Sequence, residues 1–168
     1  MRPRYGHGLP AHEGLYEIIN THRSDYELIL KEALKFKEQF WIIKDSSIEK
    51  DSIKPAWNNG FLPRLDIIAI YAILAKFKPS KYIEIGSGNS TKVAYKAKKE
   101  LGLTTKIISI DPMPRAEIDS LADEVHRKPF ENLDFDIVDL LEENDILFVD
   151  NSHRILPNSD SMVFYMEI

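Results

Sequence analysis

The chain has 168 residues, a formal net charge of −5 and no cysteine. The lack of cysteine excludes disulfides, thiol catalysis and thiolate zinc sites, and the negative charge argues against a general nucleic-acid binder. No stretch is long enough to span a bilayer, and no apolar run follows the charged N-terminus, so we expect one compact cytoplasmic protein with no membrane contact.

The first 56 residues are predicted to form an arm and a helical extension. Scattered prolines and glycines indicate an irregular arm, with a short helix around Glu13 to Asn20. The pattern of Ser24 to Glu27 is that of a capping box, and it predicts a helix that runs to about Ile43. The charged stretch from Lys44 to Pro55 predicts a loop or linker before a main domain at residues 57–168.

The main domain opens with a segment, Trp57 to Pro63, that mixes aromatic side chains with turn-forming residues. It is either a plain turn with two buried aromatics or a flap over a ligand pocket. Asp66 is then predicted to cap a helix that is apolar nearly all round and therefore buried against a sheet, with Pro79 ending it.

The next stretch has the order strand, glycine loop, helix, strand and acid. Tyr82 to Ile85 predicts the first strand, Gly86 to Thr91 the loop, and Ile107 to Ile110 a second strand that ends on Asp111. Two glycines permit a tight turn, the following helix directs free N–H groups at the same place, and a carboxylate there can accept two hydrogen bonds from a ribose diol. The stretch is typical of half a nucleotide-binding βαβ unit, and the alternative is an ordinary tight turn in which Asp111 caps the next turn.

Strand and helix patterns continue to alternate after this unit. The prolines at 112 and 114 predict a short helix to about Ala122. A weak third strand is predicted at Glu124–Arg127 and a third helix at Phe135–Leu141. An apolar fourth strand is predicted at Asp145–Asp150. Such alternation predicts an α/β fold with a parallel sheet in the order 3-2-1-4. Gly86, Asp111 and Asp150 are then expected at one sheet edge, where ligands bind.

The spacing Glu84-x-Gly86-x-Gly88 resembles the first motif of class I S-adenosylmethionine-dependent methyltransferases. Short runs around Asn59, Asp111 and Asp150 look like the same family. The resemblance implies a Rossmann-like fold and S-adenosyl-L-methionine as the cofactor, with the loop and Glu84 at its methionine end and Asp111 on its ribose. The cofactor-binding residues that it implies are Asn59, Gly60, Glu84, Gly86, Ser87, Gly88, Ser90, Asp111, Pro112 and Asp150.

The candidate chemistry lies after the fourth strand. His153 is the candidate base that deprotonates a small-molecule oxygen or nitrogen acceptor, because histidine titrates near neutrality; it is otherwise a structural loop residue. Asp150 is a second candidate catalytic residue and a candidate ligand for a divalent cation such as Mg²⁺. Two alternatives to a methyltransferase are a non-catalytic cofactor-binding remnant and a nicotinamide-dependent oxidoreductase, the latter disfavoured by Thr91 at the usual third-glycine position.

The chain departs from the resembled fold at its end. That fold has seven strands, whereas four are predicted here, so the C-terminal strands are expected to be missing. Asn158 to Ile168 predicts one last helix. A fourth strand with an unpaired edge predicts a homodimer through that edge, or poor solubility.

Overall fold

Three helices precede the main domain in the computed structural model, which describes residues 2–134 and 136–168. They are α1 (Glu13–Thr21), α2 (Arg23–Leu34) and α3 (Lys37–Trp41). The short first helix is confirmed. The capping box at Ser24 is wrong, because α2 already begins at Arg23 with His22 as its N-cap. The predicted single helix to Ile43 is also interrupted, since α2 and α3 are separate helices.

The sheet has four parallel strands, β1 (Lys81–Ile85), β2 (Lys106–Ile110), β3 (Glu124–His126) and β4 (Ile146–Val149). Their order is β3-β2-β1-β4, which confirms the predicted α/β class and the predicted strand order. β4 pairs with β1 from Tyr82↔Ile146 to Ile85↔Val149. Its side chains are half-buried rather than fully covered, because β4 lies at the edge of this sheet.

The remaining helices are α4 (Arg64–Phe77), α5 (Asn89–Glu100), α6 (Asp136–Asp139) and α7 (Asp160–Glu167), with a single 3₁₀ turn at Phe130–Asn132. Asp66 lies in the first turn of α4 and is not its cap, which is Pro63. The helix predicted up to Ala122 is absent, since that described segment contains only bends and turns. The predicted third helix is reduced to α6, and Phe135 lies outside the described residues.

Strand alternation sends successive side chains of β1 to opposite faces. Tyr82 packs in a cluster with residues of α2, α3, α4 and α5. Ile83 and Ile85 pack on the other face with Phe130, with Ile137 of α6 and with Val163 of α7. The sheet is therefore covered on both faces, which leaves its edge at the strand ends as the place for a cavity.

The N-terminal extension shares the first of these clusters. The rings of Phe36 and Phe40 lie 5.3 and 5.2 Å from the ring of Tyr71 on α4. α2 and α3 thus form a second layer over α4, while the division at residue 57 stays a prediction. Among the described residues, no helix has both the length and the apolar character that crossing a membrane requires.

Candidate functional site

A cavity of about 590 Å³ lies at the carboxyl ends of β1, β2 and β4. Three of its walls come from the glycine loop, the segment after β2 and the segment after β4. Phe61 and Leu62, from the segment before α4, also line it. The structure thus brings Gly86, Asp111 and Asp150 to one cavity, together with Ser87, Gly88, Ser90, Pro112 and His153.

Gly86 forms the tightest contact of the site, where the end of β1 meets the end of β4. Its φ is +82°, and a Cβ built on it would lie 1.9 Å from the carbonyl oxygen of Asp150. Its N–H donates to the carbonyl of Ile110 at 2.9 Å, and the N–H of Asp150 donates to the carbonyl of Ile85 at 2.8 Å. Only glycine fits here, and the three strand ends are fixed relative to one another by backbone hydrogen bonds.

Asp111 uses both of its carboxylate oxygens to shape the wall of the cavity. One oxygen accepts from the Ser87 N–H at 2.8 Å, and the other accepts from the Met113 N–H at 2.7 Å. An ionised carboxylate has about four lone-pair sites, so each oxygen can accept one further hydrogen bond. The side chain is therefore held in place and is still able to receive the two hydroxyls of a diol.

Glu84 lies beneath the loop, outside the cavity. It is wholly buried, accepts from the Ser90 hydroxyl at 2.9 Å and also accepts from the Thr91 hydroxyl. Burial raises the pKa of its carboxyl to about 8, against the lowering effect of these two hydroxyls. The Thr91 oxygen in turn accepts from the Gly88 N–H at 3.0 Å. Glu84 thus fixes the loop to the start of α5 rather than bordering the cavity.

The flap candidates Asn59 and Gly60 do not border the cavity. Asn59 Oδ1 accepts from the N–H groups of Phe61 and Leu62 at 3.0 and 2.7 Å, and its Nδ2 donates to two carbonyls of its own segment. Its Oδ1 also accepts from Asn89 Nδ2 at 3.1 Å, which joins the segment to the start of α5. Asn59 therefore positions Phe61 and Leu62, which are the residues that reach the cavity.

The segment after β4 carries the candidate base. His153 Nε2 lies 3.0 Å from Asp150 Oδ1, and the His153 N–H donates to Asn151 Oδ1 at 3.1 Å. The φ of His153 is +57°, an uncommon conformation for a residue with a side chain and one found disproportionately at functional sites. Among the described residues, Nδ1 of this imidazole has no hydrogen-bond partner.

Asp150 brings one carboxylate to this region as a candidate metal ligand. Within the part of the chain that the structure describes, no group of three or more histidine, aspartate or glutamate side chains converges on one point. Mg²⁺ commonly binds through one or two carboxylates and fills its remaining positions with water and substrate. A Mg²⁺ ion at Asp150 would therefore complete its coordination with water, substrate or neutral oxygens of the protein.

Several cavity residues were not singled out as site residues by the sequence. Met113 and Arg115 follow β2, Glu131 belongs to the 3₁₀ turn, and Asp160 begins α7. Arg115 lies with its Cζ 5.0 Å from the ring centroid of Phe61. No spacing rule marks these residues, because they come from irregular segments that the sheet edge brings together.

The chain is similar to an uncharacterized protein from Archaeoglobus fulgidus (strain ATCC 49558), with 30% identity over 93 residues. The match covers 52% of this chain and 42% of that relative, so the chain matches less than half of the relative's length. No family model matches the chain, and no solved structure matches it.

Proposed function

We propose that the chain is a methyltransferase of the Rossmann-like class I type that binds S-adenosylmethionine and methylates a small-molecule oxygen or nitrogen acceptor. The observation that carries the proposal is the cavity that Gly86, Asp111 and Asp150 share at the carboxyl edge of a parallel sheet. Ligands of open α/β sheets bind at this edge, where the strand order changes direction. We further propose a cytoplasmic location.

The cavity residues suit the parts of this cofactor. A volume of about 590 Å³ falls within the range of about 300–1,000 Å³ that small-molecule and cofactor sites occupy. Asp111 retains one lone pair on each oxygen for the ribose hydroxyls. Gly88 has no atom within 4 Å of the position of its absent Cβ, so the loop leaves open space beside it for a ligand. Phe61, Leu62 and Met113 supply apolar surface for the adenine.

The residues after β4 suit deprotonation of the acceptor. When bound, the cofactor supplies an electrophilic methyl group that an acceptor lone pair displaces from sulfur. His153 can take the proton of the acceptor on its free ring nitrogen. The carboxylate of Asp150, 3.0 Å from the other ring nitrogen, then stabilises the resulting imidazolium. Phe61 and Leu62 contribute apolar side chains to the cavity lining.

The test is calorimetric binding of S-adenosylmethionine, S-adenosylhomocysteine and NAD. We expect the first two to bind, and we expect Asp111→Ala to weaken them by about 1–3 kcal/mol, the range for a hydrogen bond to a charged group. Asp66→Asn is the matched control, because Asp66 is an exposed acid on α4 that lies outside the cavity. Thermal unfolding of each variant reports whether the fold is retained.

The outcomes separate the three candidate functions. Binding of NAD in place of S-adenosylmethionine would favour an oxidoreductase. Cofactor binding without methyl transfer across a panel of phenol and amine acceptors would favour a non-catalytic binding module. If neither cofactor binds, or if Asp111→Ala binds as tightly as Asp66→Asn, the proposal is refuted.

A further inference from the structure

We infer that the acceptor carries a carboxylate or a phosphate group, and that Arg115 and Arg154, which both border the cavity, bind this group. The inference names the substrate class of the proposed methyltransferase and rests on that proposed function. The two arginines come from different segments, one after β2 and one after β4, and both border the cavity. Arginine presents a planar fork of donors that matches a carboxylate or a phosphate.

Arg115 is oriented by an aromatic ring. Its guanidinium carbon lies 5.0 Å from the ring centroid of Phe61, within the distance of a cation–π contact. Phe61 itself is held through the Asn59 side chain, which accepts from its N–H at 3.0 Å. This contact with the ring engages none of the guanidinium N–H groups in a hydrogen bond to another side chain. Arg115 is therefore placed at the cavity with its donors unused.

Arg154 is exposed, but its backbone is fixed. The Arg154 N–H donates to the Ser152 hydroxyl oxygen at 3.3 Å, and its carbonyl accepts from the Ser159 hydroxyl at 2.6 Å. Ser152 is in turn bound by Asp160, which accepts from its N–H and its hydroxyl at 2.7 and 2.5 Å. The segment between β4 and α7 is thus a hydrogen-bonded loop that carries Arg154 at a defined place.

The two guanidinium groups favour an anionic group where they border the cavity, whose lining also carries the four acids Asp111, Glu131, Asp150 and Asp160. Three of these acids have partners within the protein: Asp111 accepts from two backbone N–H groups, Asp150 lies against His153, and Asp160 accepts from Ser152. Beyond the N-terminal arm the other arginines also have side-chain partners, namely Asn20 for Arg23, Asn58 for Arg64 and Asp119 for Arg127. Among the described residues, the side chains of Arg115 and Arg154 form no hydrogen bond or ion pair. They are the cavity's unused cationic donors.

The experiment compares benzoate, phenyl phosphate and benzamide as probes, by calorimetry with and without saturating S-adenosylhomocysteine. We expect one of the two anions to bind about tenfold more tightly than the neutral amide, the scale of a charge-assisted hydrogen bond. The tighter of the two identifies a carboxylate or a phosphate as the recognised group. Arg115→Gln and Arg154→Gln should each weaken the anion about tenfold.

Matched variants keep the test specific. Arg4→Gln removes the same charge from the exposed arm, outside the cavity, and should leave anion affinity unchanged. Arg115→Lys keeps the charge without the planar fork and should lose less affinity than Arg115→Gln. Benzamide binding as tightly as both anions, or Gln variants that match Arg4→Gln, overturns the inference. If anions bind through both arginines but S-adenosylhomocysteine does not bind, the anion site stands and the proposed methyltransferase fails.

Discussion

Replacing Gly86 with alanine tests the close packing between the ends of β1 and β4, which lies beside the cavity. The added Cβ would lie 1.9 Å from the Asp150 carbonyl oxygen and 2.8 Å from its carbonyl carbon. Both are backbone atoms, so no flexible side chain can move aside. The hydrogen bonds from Gly86 N–H to Ile110 and from Asp150 N–H to Ile85 oppose separation of the strands.

The expected loss of folding stability in Gly86→Ala has two parts. A φ of +82° costs a residue with a side chain about 1–2 kcal/mol. Relief of the steric overlap requires β1 and β4 to shift apart, which is comparable to overpacking a core and costs about 1–3 kcal/mol. The sum of about 2–5 kcal/mol is a large part of the stability of about 5–15 kcal/mol that a typical domain has.

Urea unfolding of Gly86→Ala and Gly60→Ala separates the cost of the steric overlap from the cost of the backbone conformation. Gly60 has a nearly equal φ of +84°, but no atom lies within 4 Å of the position where its Cβ would be. Both variants share the backbone term, and only Gly86→Ala should show the additional loss. If the two free energies of unfolding agree within about 0.5 kcal/mol, a typical limit for independent effects, the close contact with Asp150 is refuted.

Two further predictions concern pH and assembly. The pKa of Glu84 is raised from 4.5 to about 8, so the folded state binds more protons than the unfolded state between these values. The free energy of unfolding, measured with urea, should therefore fall as pH rises from 5 to 8. The fall should be smaller in Glu84→Gln. An equal dependence of the unfolding free energy on pH in the two proteins would exclude Glu84 as the cause. We also propose that β4, an edge strand of the described sheet, pairs with β4 of a second copy, so light scattering should show a mass that rises with concentration. A constant monomer mass would contradict that pairing.

The sheet and its order could be predicted because the pattern is redundant along the chain. Apolar runs, glycine turns and alternating helices all favour the same parallel arrangement, and a wrong boundary by one residue changes nothing. β1 and β2 each begin one residue before the predicted strand, at Lys81 and Lys106. Prediction was accurate where several independent signals agreed.

The predictions failed where a single local signal competed with another. The capping-box pattern at Ser24 was overridden by α1, which ends at Thr21 and leaves only His22 before α2. The N–H groups of Asp25 and Tyr26 then donate to the carbonyl of His22, at 3.0 and 3.2 Å. With these N–H groups already paired, the side chain of Ser24 has no terminus to cap.

The helix predicted after Asp111 fails for a related reason. The Asp111 carboxylate accepts from the Met113 N–H at 2.7 Å, a bond that forms in turns as well as at helix N-termini. The segment is then anchored by burial of Ile118 and Leu121 rather than by helical hydrogen bonds. Proline patterns at 112 and 114 are compatible with both outcomes, so the sequence alone could not choose between them.

The two acids of the glycine-loop motif show why side-chain roles are harder to predict than strand order. Glu84 in β1 and Asp111 directly after β2 both bind the loop, yet Glu84 is wholly buried and Asp111 borders the cavity. Glu84 lies before the strand end, where its side chain points into the layer between sheet and α5. Asp111 follows the strand end and can reach past the backbone. Two residues of position, from one before the strand end to one after it, thus separate a carboxyl that supports the loop from a carboxylate that can bind a ligand.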